Sequence, residues 1–168
     1  MTVAYSIAMQ KDFDGWNVTK KYIDATLPLA DCHEREVWWC AVGVNVGYEQ
    51  HSQTYDFARP IVVGRRFTRD IFLGIPLTTK IKDYVPFRVR CTVDDVANDA
   101  LILQMRVFDR RRLLRKIGVL PKETFTILLD AVVDAVVTTN PAFAGFSEAE
   151  ANVYQHHTLD DLGVNSSL

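Results

Sequence analysis

Side chains able to do chemistry stand where apolar runs begin and end in the middle of the chain. Arg59 opens the block Arg59-Pro60-Ile61-Val62, and Thr78, Thr79 and Lys80 close the apolar run 71–77. Between the runs 37–42 and 61–63 lies a polar, glycine-containing loop that holds Glu49 and Gln50. Strands ending in hydroxyls, cations and a carboxylate present a site at the rim of a small β scaffold. A guanidinium matches phosphate oxygens with paired donors. A threonine hydroxyl donates to such an oxygen or relays a proton, and a loop carboxylate accepts one.

Strands must carry these groups. Residues 36–43 are rich in β-branched and aromatic types and make a first strand. The polar stretch 44–58 is too long for a tight hairpin, which marks a loop with a role. Pro60 suits the start of the next strand, where its missing N–H breaks no ladder bond, and it holds Arg59 extended. Residues 65–70 make a basic connection and 71–79 another strand. Alternation over 85–93 puts Val85, Phe87, Val89 and Cys91 on one face and Pro86, Arg88, Arg90 and Thr92 on the other. Asp94-Asp95 and Asn98-Asp99 mark a turn. Residues 100–108 form an apolar strand on which Gln104 and Arg106 share a face, 109–114 a single helical turn, and 116–120 a short edge strand.

Pro121 starts a helix to about residue 137, with Phe125, Leu128, Leu129, Val132 and Val136 in one stripe. Upstream, 12–27 is an amphipathic helix laid on the barrel, with Phe13, Trp16, Ile23 and Leu27 at helical spacing and Asp12 or Asp14 as N-cap. In the tail, Ser147-Glu148-Ala149-Glu150 has the form of a capping box, and the pair His156-His157 is more often inert than metal-binding. The sum is a small, mostly β (α+β) barrel.

At 168 residues the chain suits one domain with a sizeable core. No apolar run approaches the ~18 residues of a membrane span, and the N-terminus has no export leader pattern. Cys32, Cys40 and Cys91 are odd in number and widely spaced, which fits reduced thiols in a cytosolic chain. Cys32-His33-Glu34 offers too few ligands for a metal and is expected at the surface. The net charge of −2 is segregated: four Lys/Arg against eight Asp/Glu over 1–58, fourteen against six over 59–116, one against seven over 117–168. A basic middle segment suits a polyanion, although solvated strand faces account for it slightly better on charge alone.

Five blocks in order give more: Glu36-Val37-Trp38-Trp39, Gly47-Tyr48-Glu49-Gln50, Arg59-Pro60-Ile61-Val62, Pro76-Leu77-Thr78-Thr79 and Gln104-Met105-Arg106-Val107-Phe108-Asp109. Over roughly 34–137 they resemble the MazF/PemK toxins, endoribonucleases of bacterial toxin–antitoxin pairs. The resemblance implies an SH3-like barrel of the MazF/PemK/CcdB type, with residues 1–33 an added helical extension and 138–168 a tail. It implies metal-independent cleavage of single-stranded RNA by the RNA's own 2′-hydroxyl, leaving a 2′,3′-cyclic phosphate and a 5′-hydroxyl. No cofactor is implied; the implied partners are an antitoxin and a second copy of the chain, in the cytoplasm and away from membranes. Arg59 and Thr78 take the family's catalytic positions, with Glu49 where some members place a base. Gln50, Thr79, Lys80, Gln104 and Arg106 fall to RNA contact.

Leu101 and Leu103 stand where some relatives carry a basic–x–acidic pair, and Tyr48 where some carry histidine. The gyrase-binding CcdB toxins share the barrel without cutting RNA, so a non-enzymatic toxin or an RNA-binding barrel without cleavage is the alternative.

Overall fold

The computed structural model describes residues 11–28, 31–52, 54, 56–83 and 85–137. Helix α1 (Phe13–Ala25) precedes strands β1 (Glu36–Ala41), β2 (Ala58–Arg66), β3 (Ile71–Thr78), β4 (Arg88–Val93) and β5 (Val96–Leu101). A 3-10 turn (Ile102–Gln104), β6 (Arg106–Asp109), a second 3-10 turn (Arg110–Arg112), β7 (Leu113–Val119) and helix α2 (Lys122–Val137) follow. All pairings are antiparallel, in the order β4-β5-β3-β2-β1-β7, with β6 also on β3. This is the expected mostly β architecture, a curled sheet with a C-terminal helix.

Strand β3 causes the curl to split. Its first half, Ile71–Gly74, pairs with β6, and its last two residues, Leu77 and Thr78, pair with β5. Pro76 lies between those two ladders, where a residue without an N–H is tolerated. Pro60 is the third residue of β2, not the first; it faces Trp39 of β1, and pairing with β3 begins one residue later, at Ile61. Arg65 and Arg66 continue β2 in place of opening a loop.

The central strands are buried on both faces, which is why they read as continuous apolar runs. Val37, Val62, Ile75 and Leu77 join Phe125, Leu128 and Val132 of α2 in one core. Each such side chain contributes about 1.5–3 kcal/mol by leaving water. Trp38, Cys40, Ile61, Val63, Phe72 and Phe108 alternate to the other face and form a second core. Val136, the last residue of the expected stripe, is exposed, because the sheet ends before the helix does.

Four further expectations are corrected. Asp94 and Asp95 alone make the β4–β5 turn, both at positive φ (50° and 59°), whereas Asn98 and Asp99 lie inside β5 and are buried. Residues 100–108 are not one strand: the 3-10 turn Ile102–Gln104 separates β5 from β6, so Gln104 and Arg106 share no strand face. Residues 85–87 fall outside β4, where Phe87 takes a φ of 59°. Cys32, expected at the surface, is buried in the second core, while His33 beside it is exposed.

Helix α1 starts at Asp12, whose Oδ1 accepts a hydrogen bond from the Gly15 N–H at 2.8 Å. Of its expected apolar face, Trp16 is buried and Ile23 half-buried; Phe13 and Leu27 are exposed. Trp16 packs with Ala41, Val44 and Phe57, and its indole lies directly over Gly43. Gly43 has a φ of 85°, and a Cβ there would overlap the indole. Gly43→Ala is therefore expected to lose about 2 kcal/mol, from backbone strain and overpacking together. A urea melt followed by tryptophan fluorescence checks this, with a blunted Trp16 signal before the main transition. The expected tail capping box and His156-His157 lie outside the described residues.

Candidate active site

Four strand ends share one rim: the C-terminal ends of β1 and β3 and the N-terminal ends of β2 and β7. The β2–β3 register pairs Ile61 with Pro76. Continued by two residues, it sets Arg59 across from Thr78, on one face of the sheet. Arg59 is half-buried and faces no carboxylate among the described residues. Its Nη2 donates to the His51 carbonyl at 2.8 Å and its Nη1 to the Leu77 carbonyl at 3.5 Å. Its Nε is buried and has no hydrogen-bond partner among the described residues. Burial lowers the guanidinium pKa from its ordinary value. A desolvated cation held only by backbone carbonyls retains most of its charge for a ligand.

Thr78 is the last residue of β3, and its Oγ1 accepts a hydrogen bond from the Lys80 N–H at 3.2 Å. That bond leaves the hydroxyl proton free to donate. Thr79 and Lys80 follow on the exposed exit of the strand.

The loop before β2 is tied down by its own polar groups and by the first 3-10 turn. Gln104 Oε1 accepts from the Gln50 N–H at 2.8 Å, and its Nε2 donates to the Tyr48 carbonyl at 3.3 Å. Gln104 thus clips the loop from across the fold. Gln50 donates through Nε2 to the His51 carbonyl at 3.2 Å, the same oxygen that holds Arg59. Glu49 is exposed, and its Oε2 accepts from the Val46 N–H at 3.1 Å, closing its own turn. The structure therefore joins Arg59, Gln50 and Gln104 through one carbonyl and one loop and ties Arg59 to the Leu77 carbonyl, one residue before Thr78. It gives Glu49 no direct bond to either among the described residues. Arg106 is half-buried with its guanidinium 5.0 Å from the centre of the Phe108 ring.

A cluster that the sequence reading missed supports Thr78 from the next strand. Asp99 stands opposite Thr78 in the β3–β5 ladder and is 1% exposed. Its Oδ1 accepts from Arg90 Nε at 2.6 Å; its Oδ2 accepts from the Lys82 N–H at 2.9 Å and from Arg88 Nη1 at 3.4 Å. Arg88 also donates to the Lys80 carbonyl at 3.2 Å. Asp99 thereby anchors the segment that leaves Thr78. The signal was present: a two-residue turn at Asp94-Asp95 sets Arg90 against Asp99.

Burial alone would raise the Asp99 carboxyl, but hydrogen bonds from Lys82, Arg90 and Arg88 outweigh it and hold the pKa below the ordinary 3.8. A depressed folded pKa stabilises the fold above the unfolded value, and that stability is lost as pH falls through the folded one. Asp99→Asn is expected to cost about 2 kcal/mol at pH 7, the worth of hydrogen bonds to a buried charge. Thermal melts should show the gap to wild type closing as pH falls below about 4.

Comparison with known proteins fits this geometry. The family described as PemK-like, MazF-like toxin of type II toxin–antitoxin system matches residues 33–136. No curated protein sequence matches the chain. Among solved structures, MazF from Deinococcus radiodurans is similar at 18% identity, with 64% of this chain and 97% of that one covered and a TM-score of 0.51. The toxin MazF-mt6 of Mycobacterium tuberculosis follows at 16% identity, 61% and 96% coverage and a TM-score of 0.47. An endoribonuclease in complex with its cognate antitoxin, from a mycobacterial species, has 16% identity, 66% and 99% coverage and a TM-score of 0.48. At these identities the likeness to solved structures is one of fold. The family match covers more than half of the chain and takes in Arg59, Thr78 and the loop between β1 and β2: the chain belongs to the PemK-like, MazF-like toxins of type II toxin–antitoxin systems.

Proposed function

We infer that this toxin is a metal-independent endoribonuclease that cuts single-stranded RNA through the substrate's own 2′-hydroxyl. The observation that supports this is Arg59 bonded to the Leu77 carbonyl, one residue before Thr78 at the same rim, the arginine a desolvated guanidinium without an acidic partner among the described residues and the threonine a hydroxyl with its proton free.

In the reaction the 2′-oxygen attacks the adjacent phosphorus, the bond to the 5′-oxygen breaks, and that oxygen takes a proton from solvent water to leave as a hydroxyl. Arg59 faces the phosphate oxygens, where negative charge builds, and its buried position makes each hydrogen bond stronger than it would be in water. Thr78 donates its hydroxyl to the same phosphate. Glu49, on the loop whose His51 carbonyl holds Arg59, takes the 2′-hydroxyl proton as general base. Gln50, Thr79, Lys80, Gln104 and Arg106 contact the RNA on either side. The fully exposed Tyr48 ring at the loop tip offers a face for base stacking.

Incubation of the purified protein with single-stranded RNA in EDTA tests this. Products bearing a 2′,3′-cyclic phosphate and a 5′-hydroxyl are expected. Magnesium-dependent products with 5′-phosphates would refute the chemistry, and binding without cutting would favour the non-enzymatic alternative.

As a member of a toxin–antitoxin family, the chain takes a cognate antitoxin as partner, and it works as a two-fold symmetric homodimer in the cytoplasm. Residues 1–33 act as an added extension to the barrel at 34–137. Sedimentation should give twice the 19.1 kDa chain mass at micromolar concentration; a monomer throughout would contradict the dimer.

A further inference from the structure

Most arginines of the basic middle segment are neutralised by carboxylates. Arg65 pairs with Glu34, Arg66 and Arg110 with Asp31, Arg88 and Arg90 with Asp99, and Arg111 with Asp109 and Asp24. Arg59, Arg69, Arg106, Arg112 and Arg115 form no ion pair among the described residues, and three of them meet at one residue, Cys40, Arg59 through its backbone ladder and Arg106 and Arg112 through their charges. Arg59 is the ladder partner of Cys40 on β2, Leu113 its partner on β7, and Arg112 immediately precedes Leu113. The backbones of Arg59 and Arg112 thus flank β1 at the same rim, two strand spacings or about 10 Å apart. Both Arg106 and Arg112 lie within charge–charge reach of Cys40 and of each other. Cys40 is no counter-ion, since burial pushes its thiol up to about 12.

Asp109 is within charge–charge reach of Arg112, but its ion pair is with Arg111, and Arg112 is held in place by other groups. The Arg112 guanidinium lies 5.4 Å from the centre of the Trp16 ring and donates through Nη1 to the Ala41 carbonyl at 3.1 Å. The ring comes from α1, which precedes the part of the chain matched by the family. Arg112 remains half-buried, and it borders a cavity of about 270 Å³ between α1 and the second 3-10 turn. The two carboxylates lining that cavity are committed: Asp109 accepts from the N–H, Nε and Nη2 of Arg111 at 2.8–3.0 Å, and Asp24 from Arg111 Nη1 at 3.0 Å.

We propose that Arg112, held over Trp16 of α1, is a second phosphodiester-binding residue of this site. It takes a phosphate of the single-stranded RNA that flanks the one at Arg59, with Arg106 as the neighbouring cation. This rests on the endoribonuclease reading above and adds a substrate contact to it. The extension over residues 1–33 thereby acquires a role in binding, because α1 supplies the platform that aims the second cation. A salt bridge to a carboxylate would have consumed the charge; an aromatic face and a carbonyl orient it and leave it available.

The test is binding of an RNA that carries one 2′-deoxy nucleotide at its mapped cleavage linkage, followed by fluorescence anisotropy across salt concentrations. Arg112→Gln is expected to weaken binding about tenfold at 0.1 M salt, as loss of one charge-assisted contact does. The slope of log K against log salt should fall by about 0.7, one released counterion fewer. Arg112→Lys should keep the slope and recover part of the affinity. A purely structural Arg112 would leave that slope unmoved.

A second measurement changes the RNA: neutral methylphosphonates are placed one at a time along it. Wild type should lose affinity at the scissile phosphate and at one flanking phosphate, and Arg112→Gln should be indifferent to the flanking change. Affinity and slope both unchanged in a folded Arg112→Gln overturn the proposal, and so does a wild type indifferent to every flanking methylphosphonate. Wild type that cuts no RNA would instead remove the endoribonuclease reading itself, and this proposal with it.

Discussion

Arg59→Ala keeps the sheet and loses about 10²–10³ in RNA cleavage rate, the usual effect of removing one donor to a developing oxyanion. The guanidinium contributes in two ways. In the proposed reaction its charge meets the phosphate in a place that burial has already stripped of water. Its two bonds to the His51 and Leu77 carbonyls join the loop before β2 to the end of β3, so it also holds Gln50 and Thr78 in mutual register. Arg59→Lys separates these roles. An ammonium restores a charge but cannot bridge two carbonyls and a phosphate with one rigid fork, so recovery should be poor. Thermal melts on both variants show whether the sheet survives, and single-turnover rates give the loss. Full activity in Arg59→Ala would move the site elsewhere.

Thr78→Val slows cleavage by about ten- to a hundredfold, the worth of one or two hydrogen bonds to a charged phosphate. Valine keeps the branched shape that suits the end of a strand, so the fold should stay intact. The hydroxyl accepts from the Lys80 N–H, and losing that acceptor also frees the strand exit. Thr78→Ser discriminates the two effects. It restores the hydroxyl and should recover most of the rate, whereas a purely steric role for Thr78 would leave the serine variant as slow as a small-residue replacement. Asp99 sits behind this threonine, so Asp99→Asn should slow cleavage too, through the position of Thr78 and not through contact with RNA.

Where local chemistry dictates structure, the sequence is readable. Asp94-Asp95 forces a tight turn, Pro121 sits just ahead of α2, and the runs through Val37, Ile61 and Phe72 become strands buried on both faces. Where neighbours decide, it is not. Asn98 and Asp99 have the composition of a turn, yet two arginines on the adjoining strand draw Asp99 into β5. The apolar stretch from Ala100 to Phe108 hides a break, because a continuous apolar run carries no period to interrupt. Arg110, Arg111 and Arg112 are three identical letters with three different fates. The first meets Asp31 and Asp70, the second Asp109 and Asp24, and the third a tryptophan ring and a carbonyl. Those partners come from up to 87 positions away, beyond the reach of any local pattern. The candidate site divides in the same way. Arg59 and Thr78 stand out in ordered blocks, but the β2–β3 pairing that brings their strand ends to one rim is not legible in either block alone.

Central to the proposed mechanism is the RNA's own 2′-hydroxyl as the nucleophile at the rim that carries Arg59 and Thr78. The most direct measurement is single-turnover cleavage, in EDTA, of an RNA whose nucleotide at the mapped cleavage linkage carries 2′-hydrogen in place of 2′-hydroxyl. Cleavage should vanish at that linkage while the unmodified RNA is cut as before. Continued cleavage there at the unmodified rate would contradict the mechanism.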